Sequence, residues 1–202
     1  MIRFLVLFSF LMSGCQQQPL ANLDSPGTTV VCFGDSLTAG TGAHPGQDYP
    51  SLLRAKISLP VINAGVSGNT TADALLRLDK DVLAHDPKIV IMTLGGNDYL
   101  QSVPEAVTLS NMTKIIERIK ERKAIVVWAE VKTAVFGDPN LDDFKALANR
   151  EHILLIPNIL DGIVDHPEYK YDQIHPNSDG YKIMADRIYE NIKGLLAGPV
   201  SS

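Results

Sequence analysis

The sequence predicts a three-layer α/β/α sandwich built on a five-stranded parallel sheet. Five short apolar runs, rich in Val and Ile, recur at residues 28–33, 61–64, 89–94, 124–129 and 153–156. None alternates with polar residues, as a strand with one wet face would, so each reads as a strand buried on both faces. Segments with helical spacing of apolar residues separate them. The order βαβαβαβαβα closes into a parallel sheet through right-handed crossovers, with helices on both faces.

The first strand, 28–33, contains Cys32, which reads as a buried, inert thiol. A short helix is expected over 49–57, and then the second strand. The helix over 71–84 carries Leu75, Leu76, Leu78, Val82 and Leu83. After the third strand, the helix over 104–122 carries Val107, Met112, Ile115, Ile116 and Ile119. Ser102-x-x-Glu105 fits a capping box at its start, with Pro104 in the first turn. A helix over 141–149 separates the last two strands. The final helix, 178–196, sets Tyr181, Met184, Ile188, Ile192 and Leu195 on one face and stops at Gly198-Pro199. There is no internal repeat, low-complexity tract or second domain.

The 202 residues fit one catalytic or binding domain, expected over 28–202, behind a distinct leader. Aromatic residues make up only 6%, too few for base-stacking platforms. With 18 Lys and Arg against 23 Asp and Glu the net charge is −5, and no basic block offsets it. Nucleic acid is therefore not an expected partner. Two cysteines, Cys15 and Cys32, make no disulfide scaffold.

Residues 1–14, MIRFLVLFSFLMSG, have one positive charge and an apolar run too short to span a bilayer. They read as a secretory signal. Ser13-Gly14-Cys15 at its end resembles a bacterial lipobox, with Met12 where Leu is usual. The resemblance implies that Cys15 is lipidated and becomes the first mature residue, anchoring the chain in the cell envelope. Gln16 follows, not the aspartate of inner-membrane retention, so the resemblance favours the outer membrane of a Gram-negative cell, facing the periplasm. Residues 16–27 read as a tether. Its twelve residues reach at most ~40 Å, enough to work close to the membrane surface.

Ligands of such sheets bind beyond the carboxyl ends of the strands. There lie GDSLTAG (34–40), NAGVSGNT (63–70) and GGND (95–98), and DQIHPN (172–177) comes later in the chain. Acyl transfer needs a nucleophile, a base, an acid that orients the base and donors for an oxyanion. Ser36 is the candidate nucleophile, at a strand-to-helix turn. His175 is the candidate base. Of five histidines it alone has an aspartate three residues before it, Asp172. Gly68 and Asn97 are oxyanion candidates, one through its backbone N–H and the other through its carboxamide. Taken singly, each motif also describes an ordinary turn. No G-x-S-x-G elbow occurs, the glycines of 40–46 have the wrong spacing for a dinucleotide loop, and no Cys/His pair has zinc-ligand spacing.

Gly-Asp-Ser-Leu, then Gly68, then Gly-x-Asn-Asp, then Asp-x-x-His-Pro resemble, in that order, the SGNH (GDSL) hydrolase family. The similarity runs over roughly residues 28–196. NAGVSGNTTADALLRL (63–78) and TLGGND (93–98) place it near the bacterial thioesterase, arylesterase and lysophospholipase branch. The resemblance implies a flavodoxin-like sheet and a serine esterase acting on small acyl esters or thioesters through an acyl-enzyme. It implies Ser36, Asp172 and His175 as the triad, and the Ser36 N–H, the Gly68 N–H and the Asn97 side chain as the oxyanion hole. It implies no cofactor or metal, and a monomer is expected. Asp35 and Asp98 are expected to hold neighbouring loops and not to react. The loop after the fourth strand departs from the branch. Where the branch often carries a proline and an aromatic that shape the acyl pocket, VKTAVFGDPN (131–140) has Lys132-Thr133 early in the loop and Ala134, Val135 and Phe136 as an apolar wall, so acyl-length preference does not carry over from relatives. The rival readings are a cell-envelope glycan O-acetylesterase and a non-catalytic envelope lipoprotein.

Overall fold

The computed structural model describes residues 19–132 and 141–196. Cys15, the signal, the first part of the tether, residues 133–140 after the fourth strand and the Gly198-Pro199 stop lie outside the described residues. Five parallel strands, β1 (Thr29–Gly34), β2 (Val61–Gly65), β3 (Pro87–Thr93), β4 (Ile125–Ala129) and β5 (Leu154–Ile156), form one sheet in the order β2-β1-β3-β4-β5. The helices are α1 (Ser36–Ala39), α2 (Tyr49–Arg54), α3 (Thr71–Asp81), α4 (Gly96–Leu100), α5 (Glu105–Glu121), α6 (Leu141–Arg150) and α7 (Ser178–Leu196).

The three central strands are almost wholly buried, and alternate residues feed two separate cores. Val30, Cys32, Ile89, Ile91, Ile125 and Val127 face α2 and α7 with Tyr181, Met184 and Ile188. Val31, Phe33, Val90, Met92, Val126 and Trp128 face α3, α5 and α6 with Leu78, Ile115 and Phe144. The predicted three-layer α/β/α architecture is the architecture observed. Cys32 is fully buried, and burial pushes its thiol far above the ordinary range.

Three expectations need correction. The helix expected over 49–57 ends at Arg54. The helix after β3 has no capping box at Ser102. Pro104 is its N-cap residue, with no side-chain cap, and Ser102 stands outside the helix at φ 55°. The capping box belongs to α3, where the Thr70 hydroxyl accepts from the Asp73 N–H and the Asp73 carboxylate accepts from the Thr70 N–H. The helix expected over 71–84 ends at Asp81, and a separate 3₁₀ turn covers Leu83–His85.

Candidate active site

Strand β1 ends at Gly34, and the chain turns at once into α1. Asp35 is the N-cap residue, its carboxylate accepting from the Leu37 N–H at 3.0 Å. Ser36 is therefore the first helical residue, and its N–H has no carbonyl to bond within the helix. Asp172 and His175 both lie in the loop before α7. An antiparallel bridge between Lys170 and Pro176 closes residues 171–175 into a tight loop, in which the Tyr171 N–H donates to the His175 carbonyl at 2.9 Å. One oxygen of Asp172 accepts from the Ile174 and His175 N–H groups, both at 2.8 Å, and the other meets His175 Nδ1 at 2.8 Å. The other ring nitrogen, Nε2, is 2.8 Å from Ser36 Oγ. The structure thus brings Ser36, His175 and Asp172 into one hydrogen-bonded line across 139 residues of sequence. Partial burial raises the Asp172 carboxyl, but the two N–H donors and the imidazole outweigh it and hold the carboxyl down at about 2.

Gly68 and Asn97 line the same hollow, about 240 Å³, with Ser36, Leu37, Ile174 and His175. Gly68, at φ 82°, has open space around it. The Asn97 carboxamide donates to the Asn69 carbonyl at 3.0 Å and to Asp35 Oδ2 at 3.2 Å. An incoming oxygen has to compete with these two acceptors. Asp35 is 3% exposed. Burial pushes its carboxyl up to about 6, against the pull of the Leu37 N–H and the nearby imidazole. Asp98, also buried, does hold neighbouring elements. It accepts from the Thr71 N–H at 2.8 Å and from the hydroxyls of Thr71 and Thr108.

A larger cavity of about 710 Å³ adjoins the hollow and shares Gly96, Leu100 and Val131 with it. Its walls include Tyr99, Val103, Trp128 and Phe144, with Glu130 among the polar groups. Tyr99 and Leu100 are half-exposed at the rim, and Val66 and Tyr171 are further exposed apolar residues on loops of this end. Such a mouth suits an apolar group held beside a reacting carbonyl.

Two supporting residues are assigned no role by any of the sequence motifs. Arg77 of α3 donates to the Gly34 carbonyl and the Ala64 carbonyl, both at 2.8 Å, and to the Asn69 side chain. It ties the ends of β1 and β2 together beneath the hollow. The signal was available: an arginine between Ala74 and Leu78 on the inner face of an amphipathic helix. Gly42, in the stretch examined only for a dinucleotide loop, lies against the histidine loop. A Cβ there would fall 2.5 Å from the Pro176 carbonyl oxygen, so only glycine allows this approach. Beside it the Tyr181 hydroxyl donates to the Thr41 carbonyl at 2.9 Å. Among the described residues no three His, Cys, Asp or Glu side chains converge as a metal site requires.

Comparison with known proteins bears on this geometry. The family model described as GDSL-like lipase/acylhydrolase matches residues 32–183. An arylesterase of Vibrio mimicus is 30% identical over 95% of this chain and 98% of its own. The thioesterase 1/protease 1/lysophospholipase L1 of Escherichia coli K12 is 29% identical over 83% of this chain and 85% of its own. A lipoprotein of Bacillus subtilis, YqeF, is 35% identical over 48% of this chain and 41% of its own. Among solved structures, TesA superposes with a TM-score of 0.77 at 26% identity, over 83% of this chain and 99% of that one. The Pseudoalteromonas esterase EstA, solved in a form inhibited by monoethylphosphonate, superposes with a TM-score of 0.74 at 25% identity, over 84% of this chain and 98% of that one.

Proposed function

The chain belongs to the GDSL-like lipase/acylhydrolase family and is a carboxylic ester hydrolase, and from that premise we propose that it works through an acyl-enzyme on Ser36. The observation that carries the reading is the line Asp172–His175–Ser36, with both contacts to the ring at 2.8 Å. His175 takes the Ser36 proton as the oxygen attacks the ester carbonyl. The Asp172 carboxylate fixes the tautomer and stabilises the imidazolium that forms. The carbonyl oxygen gathers charge among the Ser36 N–H, the Gly68 N–H and the Asn97 carboxamide. A full negative charge is a stronger acceptor than the Asn69 carbonyl, so the Asn97 donor turns to it only as the transition state forms. His175 then protonates the leaving alcohol or thiol. Water, deprotonated by the same ring, releases the acid.

The apolar cavity beside the hollow is assigned to the acyl group. Its apolar walls favour aryl and aliphatic acyl groups, as esters or thioesters, over acetylated glycans. The protein is further read as a lipoprotein: signal 1–14, lipidated Cys15 and tether 15–27, and a hydrolase domain 28–202 in the cell envelope. The similarity to a lipoprotein supports this. Among the described residues no helix is long and apolar enough to cross a membrane.

Hydrolysis of nitrophenyl esters of graded chain length, by the protein and by Ser36→Ala, tests the reading. The expected result is a preference for chains longer than acetyl and loss of at least about four decades of turnover in the variant. Equal activity of the two proteins refutes the serine mechanism. Cleavage of acetylated glycans alone would transfer the assignment to the O-acetylesterase reading.

A further inference from the structure

The amino-terminal stretch meets the domain at the end of the sheet opposite Ser36. The Ala21 N–H donates to the His152 carbonyl at 2.8 Å, just before β5. The Asn22 carboxamide donates to the carbonyls of Lys120 and Ala124, at 3.1 and 3.0 Å, where α5 gives way to β4. The Lys88 ammonium, at the start of β3, donates to the Ser25 carbonyl at 3.1 Å, and the Thr28 N–H donates to the Asp86 carbonyl at 2.9 Å. Gly27 lies so close to Pro87 that a Cβ would fall 2.3 Å from its carbonyl. Every partner precedes or begins a strand. Residues 21–28 therefore form a strap across the amino edge, not the free half of a tether. Ser36 stands beyond the carboxyl edge.

We propose that the lipid-anchored protein holds its catalytic mouth away from the membrane that carries it, and takes acyl esters arriving through the aqueous phase, not lipids of its own leaflet. The inference rests on the ester-hydrolase reading of the mouth and on lipidation of Cys15. A free tether ending at residue 27 would reach ~40 Å. With the strap docked, only the six chain steps from Cys15 to Ala21 remain, about 20 Å when fully extended. The six residues of β1 already span about 20 Å from amino to carboxyl edge. The loops bearing Ser36, Gly68, Asn97 and His175 stand above that. The remaining chain cannot climb the full height of the domain and also lay the mouth on the bilayer. The strap acts as a fixed pivot, and the mouth points outward or sideways.

The test uses full-length lipidated protein in phosphatidylcholine vesicles, beside Cys15→Ser in solution and a lipidated variant with twenty Gly/Ser residues inserted after Gln18. Two substrates are compared, a dissolved nitrophenyl ester and a long-chain fluorogenic ester embedded in the same vesicles. All three proteins should cleave the dissolved ester within about twofold of one another. Anchoring through the natural spacer should raise cleavage of the embedded ester less than about threefold over Cys15→Ser. The inserted spacer should raise it tenfold or more, because a tether that can span the sites supplies a millimolar effective concentration. A tenfold gain with the natural spacer overturns the proposal. So does equal, low activity with both spacers, because spacer length would then not be what withholds the leaflet. Absence of fatty-acid labelling on the wild type overturns it at the anchor while leaving the esterase intact. Failure of every protein on the dissolved ester strikes the esterase reading instead.

Discussion

Ser36 and Asn97 are each held by a neighbour that the reaction has to use or displace, and single substitutions separate these roles. On the proposed mechanism Asn97→Ala removes one of three oxyanion donors and should lower kcat by two to three decades, about 3 kcal/mol, with KM changed far less. Steady-state kinetics on one ester decide it. An effect confined to KM would mean that Asn97 binds the ground state. Asp172 stays ionised down to about pH 2, so its protonation cannot account for activity lost in the mildly acidic range. Asp172→Asn should depress activity across the whole pH–rate profile, neutral pH included, and full activity at neutral pH would contradict its role. Asp35 behaves oppositely. Its folded pKa, about 6, lies above the ordinary carboxyl value of 3.8. Its contribution to stability is therefore full below the unfolded value and is lost as pH rises through about 6, to the extent of about 3 kcal/mol. Asn caps a helix as well as Asp does. Asp35→Asn should accordingly gain stability relative to the parent between acid and neutral pH, read from urea midpoints at both. A constant difference would show that Asp35 does not titrate there.

Among the elements, the β3–α4 turn works as a clamp. Asp98 fastens the start of α3 through Thr71 and α5 through Thr108, and the Asn111 carboxamide donates to the same Thr71 hydroxyl at 3.1 Å. Asp98→Ala leaves a buried N–H and hydroxyls without their acceptor, and should cost about 2–3 kcal/mol. At this chain length that lowers Tm by roughly 5–10 °C by calorimetry. An unchanged Tm would remove the clamp from the account. The strands and the long helices were legible in the sequence because burial writes itself as apolar runs and as 3.6-residue spacing. Of α1 only the start after β1 was, and α4 was not, since four and five residues hold too little of a period. Ser102-x-x-Glu105 fits the capping-box pattern in sequence alone. The geometry chose Thr70-x-x-Asp73, where the shorter carboxylate reaches back equally well. Ser36, Gly68, Asn97, Asp172 and His175 could be picked out because their motifs follow predicted strands or precede a helix. Gly42 was hidden because its work is tertiary, a close approach to backbone distant in sequence, and Arg77 showed only in its place on the inner face of α3.

The whole molecule divides its two sheet edges between two tasks. The carboxyl edge carries the loops of the mouth and the apolar cavity, and the amino edge carries the strap. The strap could not be read from composition. A polar stretch with two prolines looks like a spacer, and only the positions of its carbonyl and ammonium partners show that it is docked. The central claim for the molecule is an acyl-enzyme on Ser36, and the most direct measurement is the mass of the intact protein quenched during turnover of a slow nitrophenyl ester. One added acyl group is expected, mapped by peptide sequencing to Ser36, formed and lost at the rate of turnover, and absent in Ser36→Ala. Turnover with no adduct on Ser36 after a stoichiometric trap such as a fluorophosphonate, or an adduct mapped to another residue, would contradict it.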